Sequence, residues 1–233
     1  TAGTLKLDSD NKISLSNLAA GSTVDLHGHS GTLNIKANAA GSTITSSDAD
    51  NESTLNLLVN TATSLNSTIT GQNIHLNKQG TGTLTLAAAN TFSGDTLLSG
   101  GNTLLGNSQA LGDTMNDVTL ANTATLDQNG FDLAYDVIFD GGTLTTGSQN
   151  ADQRIDGGLD VKSQGTLLGQ TSGMNVYGAV SGSGTLNIAG INGASFFGDT
   201  SDFDGLLSVK DGSQLVFDSA QDTTLAANLA SEG

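Results

Sequence analysis

Gly82-Thr83-Leu84-Thr85-Leu86 holds the pattern on which the fold turns: a small residue, a threonine, an aliphatic residue, any residue and a second aliphatic. Alternation at period two puts Leu84 and Leu86 on one face of an extended chain and Thr83 and Thr85 on the other. The pattern stands also at Gly3-Thr4-Leu5-Lys6-Leu7, Ser22-Thr23-Val24-Asp25-Leu26, Gly31-Thr32-Leu33-Asn34-Ile35 and Ser53-Thr54-Leu55-Asn56-Leu57. It returns at Gly142-Thr143-Leu144 and Gly184-Thr185-Leu186-Asn187-Ile188. Copies are often about 9 to 11 residues apart, or twice that, the length of a strand plus a turn. Such spacing fits an antiparallel sandwich or barrel, or a solenoid. Recurrence of one local motif favours the solenoid, because every rung of a coil repeats the same environment and the strands of a sandwich do not. Roughly 20 to 24 residues per three-sided rung would give about ten rungs, a rod on the order of 50 Å long.

Composition agrees. The 233 residues include 31 Gly and no Pro, Cys or Trp, and only 4% are aromatic, so the core must come from aliphatic side chains. Proline, which cannot donate to a strand ladder, would interrupt such a coil. Asn- and Gly-rich turns such as Gly71-Gln72-Asn73 and Asp127-Gln128-Asn129-Gly130 suit polar ladders between rungs. An apolar fraction of 36% with no break in composition points to a single body over residues 1–233. With 23 acidic residues against 7 basic ones, the net charge of −16 repels nucleic acid and anionic lipid. Without cysteine there is neither disulfide nor thiolate metal site. No apolar run is long enough for a spanning helix, and no signal peptide begins the chain, so Thr1 and Gly233 read as cut points within a longer polypeptide.

Residues 80–133 carry a more specific signal. Gly80-Thr81-Gly82-Thr83-Leu84-Thr85-Leu86 leads into Asn90-Thr91-Phe92-Ser93-Gly94-Asp95-Thr96, then Gly100-Gly101-Asn102-Thr103-Leu104 and Asn107-Ser108-Gln109-Ala110-Leu111-Gly112, and continues as Thr123-Ala124-Thr125-Leu126-Asp127. This resembles the passenger-associated repeat of bacterial autotransporters. Ala88 and Asp95 stand where the repeat usually has glycine, and Asn102 is an insertion. A degenerate copy spans 182–217. The resemblance implies an all-β, right-handed parallel β-helix with three-sided rungs. It also implies a bacterial cell-surface location and an anchor in the outer membrane through a C-terminal barrel outside this sequence.

Acidic clusters are the first places to look for a site. Asp48, Asp50, Asn51 and Glu52, like Asp8-Ser9-Asp10-Asn11, have the oxygen-rich composition calcium accepts, but neither completes an EF-hand loop and both suit solvated turns. Asp199, Asp202 and Asp204 are the candidates for an acid and base pair of the kind that cleaves polysaccharides. Arg154 is the one arginine, too few cations for a uronate lyase. His27-Gly28-His29 reads as two imidazoles on one side of a strand, open to zinc if another rung supplied a third ligand. No dinucleotide fingerprint or other cofactor motif is present, because the Gly-x-Gly stretches at 80–82 and 182–184 lead into strands. Of Phe92, Phe131, Phe139, Phe196, Phe197, Phe203 and Phe217, the adjacent Phe196 and Phe197 must point opposite ways, leaving one of them outside.

The functional expectation is a non-enzymatic adhesin that associates with copies of itself, aggregating cells and building biofilm, with a host surface or matrix ligand as a second partner. The candidate interaction residues are Asp48, Asp50, Asn51, Glu52, Asp199, Asp202 and Asp204. The alternatives are a spacer or folding-assisting segment of a larger passenger, and a glycan-binding or polysaccharide-active helix.

Overall fold

The computed structural model describes residues 3–13, 19–34, 41–149, 153–218 and 227–231; Thr1, Ile35 and Gly233, used in the sequence reading, lie outside them. All regular structure among the described residues is β-strand. Two compact units divide the chain, 1–117 and 118–233.

The first unit has three sheets. Thr4–Lys6, Thr23–Asp25, Thr43–Thr45, Thr68–Gly71 and Thr91–Phe92 stack in that order on one face. Asn11–Ile13, Ser30–Asn34, Ser53–Leu58, Ile74–Gln79 and Thr96–Leu98 form the second, and Thr63–Leu65, Leu84–Leu86 and Asn102–Leu105 the third. The chain visits the faces in turn and returns one coil further on, beside and parallel to the strand it left. The step is 20 residues from Val24 to Ile44, 25 from Ile44 to Ile69 and 21 from Leu55 to Leu76.

The second unit repeats the plan. Thr125–Asp127, Thr143–Thr145, Gln164–Leu168, Thr185–Ala189, Leu206–Val209 and Asn228–Ser231 make one parallel sheet. Gln153–Ile155, Met174–Val176, Ala194–Phe196 and Leu215–Phe217 make another, and Asp136–Asp140, Leu159–Val161 and Val180–Ser181 lie on the remaining face. Each unit is therefore a parallel β-helix of three-sided coils, as the recurring strand motif requires.

Parallel register turns the alternation within each strand into columns between coils. Leu126, Leu144, Leu167 and Ile188 stack inward and are buried, as are Val24, Ile44 and Ile69 in the first unit. Each such side chain contributes about 2 kcal/mol by leaving water. Phe92, Phe139, Phe196 and Phe203 are buried among them, whereas Phe217 is partly exposed. One column breaks the rule: Leu33, Leu57, Lys78 and Leu98 are in register, and Lys78 is as buried as the leucines. Its ammonium donates to the carbonyls of Gly80, Gly82 and Gly100, so its three donors have three acceptors.

The polar ladder expected between turns takes another form. Amide stacks on amide on an outward sheet face, where Asn77 Nδ2 donates to Asn56 Oδ1 at 3.0 Å. In the turns, amide side chains instead clamp the backbone of neighbouring coils. Asn90 accepts from the Ile69 N–H at 2.9 Å and donates to the Ala110 carbonyl at 2.5 Å. Asn73 and Asn129 occupy the left-handed region, with φ of 53° and 49°.

Candidate functional surface

In the first unit the outward positions of the sheets are uncharged over long runs. Thr23, Thr43 and Thr68 form one outward column, Thr45, Thr70 and Thr91 another, and Thr32, Asn56 and Asn77 a third on the next face. Six of the carboxylates stand at the corner between those faces, Asp8, Asp10, Asp48, Asp50, Glu52 and Asp95, while Asp25 continues the Thr45 column and is buried, accepting from the Ser47 N–H and hydroxyl.

His27 and His29 stand at that corner, and His75 lies on the strand that follows it. His29 Nδ1 lies 3.7 Å from Asp10 Oδ1 and His75 Nε2 lies 4.0 Å from Glu52 Oε2, each across neighbouring coils. The expectation of a strand at His27-Gly28-His29 is corrected: these residues form a turn, with φ of 47° at His27 and 77° at Gly28, so side-chain alternation does not apply. The two rings meet edge-on with centroids 6.4 Å apart, and His27 Nδ1 is 3.1 Å from Ser47 Oγ. Among the described residues no three His, Asp or Glu side chains gather into a group that could hold a metal ion.

The carboxylate of Asp48 is occupied by its own turn. It accepts from the Asp50 N–H at 3.0 Å, the Asn51 N–H at 3.2 Å and Asn51 Nδ2 at 3.0 Å, and the Asn51 side chain leads these donors in holding it below the usual carboxylate range. Asp50 and Glu52 are exposed beside it. Asp199 is spent in the same way: it accepts from the Ser201 N–H at 2.9 Å, and that bond pulls its pKa down, opposite to the raised value a general acid needs. Asp202 and Asp204 are exposed on either side of the buried Phe203. Burial moves Asp127 the other way, upward, and nothing in its sequence setting marks it out.

A shallow pocket of about 260 Å³ in the first unit is lined by Asn90, Thr91, Gln109, Gly112, Asp113 and Thr114. Asn90 is already engaged at both ends of its amide.

On the second unit the outward surface of one sheet bears an aromatic column that sequence reasoning missed. The Arg154 guanidinium lies 4.0 Å over the Tyr177 ring, and Tyr177 stacks on Phe197 at 4.6 Å with the rings 9° from parallel. Arg154 also donates to Asp156 Oδ1, at 2.5 Å from one terminal nitrogen and 3.2 Å from Nε. The three residues are 23 and 20 positions apart, and only the coil period brings them together. Phe196 points inward and Phe197 outward, as neighbours on a strand must.

The passenger-associated-transport-repeat family model matches residues 76–105. The chain carries a passenger-associated transport repeat over these residues. Over 132 residues, 55% of the chain, it is 35% identical to the adhesin BmaC autotransporter of Brucella suis biovar 1 (strain 1330), of whose length it spans 4%. No solved structure matches. Within the first unit, the matched repeat runs from Leu76 to Leu105 and contains the buried Lys78 with its acceptors Gly80, Gly82 and Gly100. No helix among the described residues is long and apolar enough to cross a membrane.

Proposed function

We propose that this passenger is an adhesive, non-enzymatic part of a bacterial surface protein anchored in the outer membrane. It holds cells to one another by self-association, to form aggregates and biofilm, and holds them to a host surface or matrix ligand. The observation that carries the reading is the placement of charge in the first unit. A chain of net charge −16 repels its own copies. Most of the first unit's carboxylates sit at a corner, the Asp25 carboxylate is held against Ser47, and the threonine and asparagine columns leave runs of sheet face on which two copies can meet with few opposing charges. Contacts between such columns are weak singly and sufficient in number. Likeness to a protein named as an adhesin supports the same direction. The turn-bound carboxylate of Asp199, with its pKa lowered, supports a role without catalysis.

Sedimentation velocity over a concentration series, beside settling of cells that display the chain, tests the reading. Concentration-dependent dimers or larger species together with clumping are expected. A chain that stays monomeric, on cells that neither clump nor bind host matrix, overturns it.

A further inference from the structure

Arg154, Asn175, Ser195 and Val216 are register partners on the outward side of one sheet of the second unit. The residues two positions after them, Asp156, Tyr177, Phe197 and Asp218, continue the ladder. The Tyr177 N–H donates to the Ile155 carbonyl at 2.8 Å, that of Phe197 to Val176 at 2.8 Å and that of Asp218 to Phe196 at 2.9 Å. The result is a strip in which two rings lie between two carboxylates, on successive coils. Asp132 adjoins one end, its Oδ1 accepting the Arg154 N–H at 2.9 Å, and Asp199 follows Phe197 by two residues. Tyr177 is 41% exposed and Val216 40%.

We infer that this strip is a docking site for an extended, basic segment of another protein, one that presents two cationic side chains to the carboxylates and an apolar residue to the ring edges between them. The inference rests on the adhesive reading above and specifies the chemistry of the partner.

Three arguments select that occupant. First, the charge is complementary: Asp132, Asp156, Asp199 and Asp218 border the rings, four carboxylates against one guanidinium, and Arg154 engages only Oδ1 of Asp156, leaving its Oδ2 for a second cation. A second copy of this acidic chain would bring like charges to the same place. Second, the geometry sets what the rings can take. Both faces of Tyr177 are covered, one by Arg154 and the other by Phe197, so a sugar has no free face there to stack on, and the exposed edges suit aliphatic side chains. Third, the lengths agree. Asp156 and Asp218 are three coil steps apart, roughly 14 Å at about 4.8 Å per step, and four residues of extended chain reach about 13 Å. Residues i, i+2 and i+4 of a strand share a face, so cations at the first and last and an apolar side chain between them meet carboxylate, ring edges and carboxylate in order. Aromatic and arginine side chains concentrated in a surface otherwise made of Ser, Thr, Asn and Gly are the composition of a binding hot spot.

The probe is a seven-residue synthetic peptide with arginines four positions apart and a valine midway between them, titrated into the purified 233-residue chain by NMR or calorimetry. Its control has the same composition with the arginines adjacent. The spaced peptide is expected to bind more tightly than the control. Phe197→Ser and Asp218→Asn are each expected to weaken it about fivefold or more. Asp211→Asn, which removes the same charge from an exposed turn elsewhere in the unit, is expected to leave it within about twofold. Phe197→Leu guards against loss of fold, since it keeps bulk in the column and removes the ring; it should retain part of the affinity. Equal weakening by Asp211→Asn, equal binding of the two peptides, or binding of neutral oligosaccharides in place of the peptide overturns the inference. If cells displaying the chain adhere and clump while the peptide ignores the strip, the docking site is wrong and the adhesive reading stands. A strip that binds the peptide, on a chain that neither adheres nor clumps, separates them the other way.

Discussion

Lys78 Nζ lies 2.8 Å from the carbonyl oxygen of Gly82, inside a column where its register partners on the two neighbouring coils, Leu57 and Leu98, are leucines. A lysine in that position serves as an internal cation, holding a glycine-rich turn of its own coil and the Gly100 carbonyl of the next. Replacing it by methionine keeps the volume and leaves three carbonyls without their donor. The cost is partly offset because no charge need then be buried, and Lys78→Met is expected to destabilise the first unit by about 2 kcal/mol at pH 7. Urea unfolding followed by far-UV circular dichroism would measure it.

The same side chain fixes a pH dependence. Burial pulls the Lys78 pKa down to about 8, from an ordinary value of 10.5. Between those values the unfolded chain holds the proton more often than the folded one, so this group makes stability rise with pH across that window, by at most about 1.4 kcal/mol per pH unit. Below about pH 8 both states are protonated and the dependence vanishes. Denaturation midpoints measured from pH 7 to 10.5 should show the rise in the native sequence and lack it in Lys78→Met.

Asn116 clamps the backbone of its neighbours from a buried position: Oδ1 accepts from the Gly94 N–H at 2.9 Å, and Nδ2 donates to the carbonyls of Phe92 at 3.1 Å and Leu111 at 3.3 Å. Asn116→Ala strands the Gly94 N–H and the Leu111 carbonyl, while the Phe92 carbonyl keeps the Asp113 N–H at 3.0 Å, and is expected to cost about 2 to 4 kcal/mol. Asn116→Asp keeps the acceptor but sets a carboxylate against two carbonyls, so its loss at pH 7 should be larger than that of the alanine variant. Paired melting curves would give the order.

Gly178 shows how closely the coils approach. A Cβ there would fall 1.9 Å from the Gly157 carbonyl oxygen, a backbone atom that cannot step aside without parting two coils. Gly178→Ala is expected to destabilise the second unit by about 3 kcal/mol, whereas Gly3→Ala, with nothing within 4 Å, should change stability by less than about 0.5 kcal/mol.

Much of the fold was legible because a coil repeats its instructions: the motif at Gly82–Leu86 recurs, and register converts Leu126, Leu144, Leu167 and Ile188 into a core. The burial of Lys78 was also written in the alternation Ile74, Leu76, Lys78, which places it inward. Charge alone argued for the surface. The turn at His27 was hidden, because a left-handed histidine leaves no mark that distinguishes it from a strand residue. Asp48 and Asp199 looked available because composition shows oxygen and not the N–H groups that already occupy it. The Arg154, Tyr177 and Phe197 column was illegible for another reason. Steps between coils vary from 18 residues, at Leu126 to Leu144, to 25, at Ile44 to Ile69, so no fixed period says which distant residues become neighbours.

The neutral sheet faces and the aromatic strip both depend on coils stacked in parallel and in register, and the absence of cysteine makes that directly testable. Thr85 and Leu104 are outward partners on adjacent coils, and Cα atoms about 4.8 Å apart suit a disulfide. Thr85→Cys with Leu104→Cys should crosslink readily under mild oxidation, read as a shift on a non-reducing gel. Thr85→Cys with Thr103→Cys, whose second side chain points inward, should not. Failure of the first pair, or equal yield from both, would contradict the stacking.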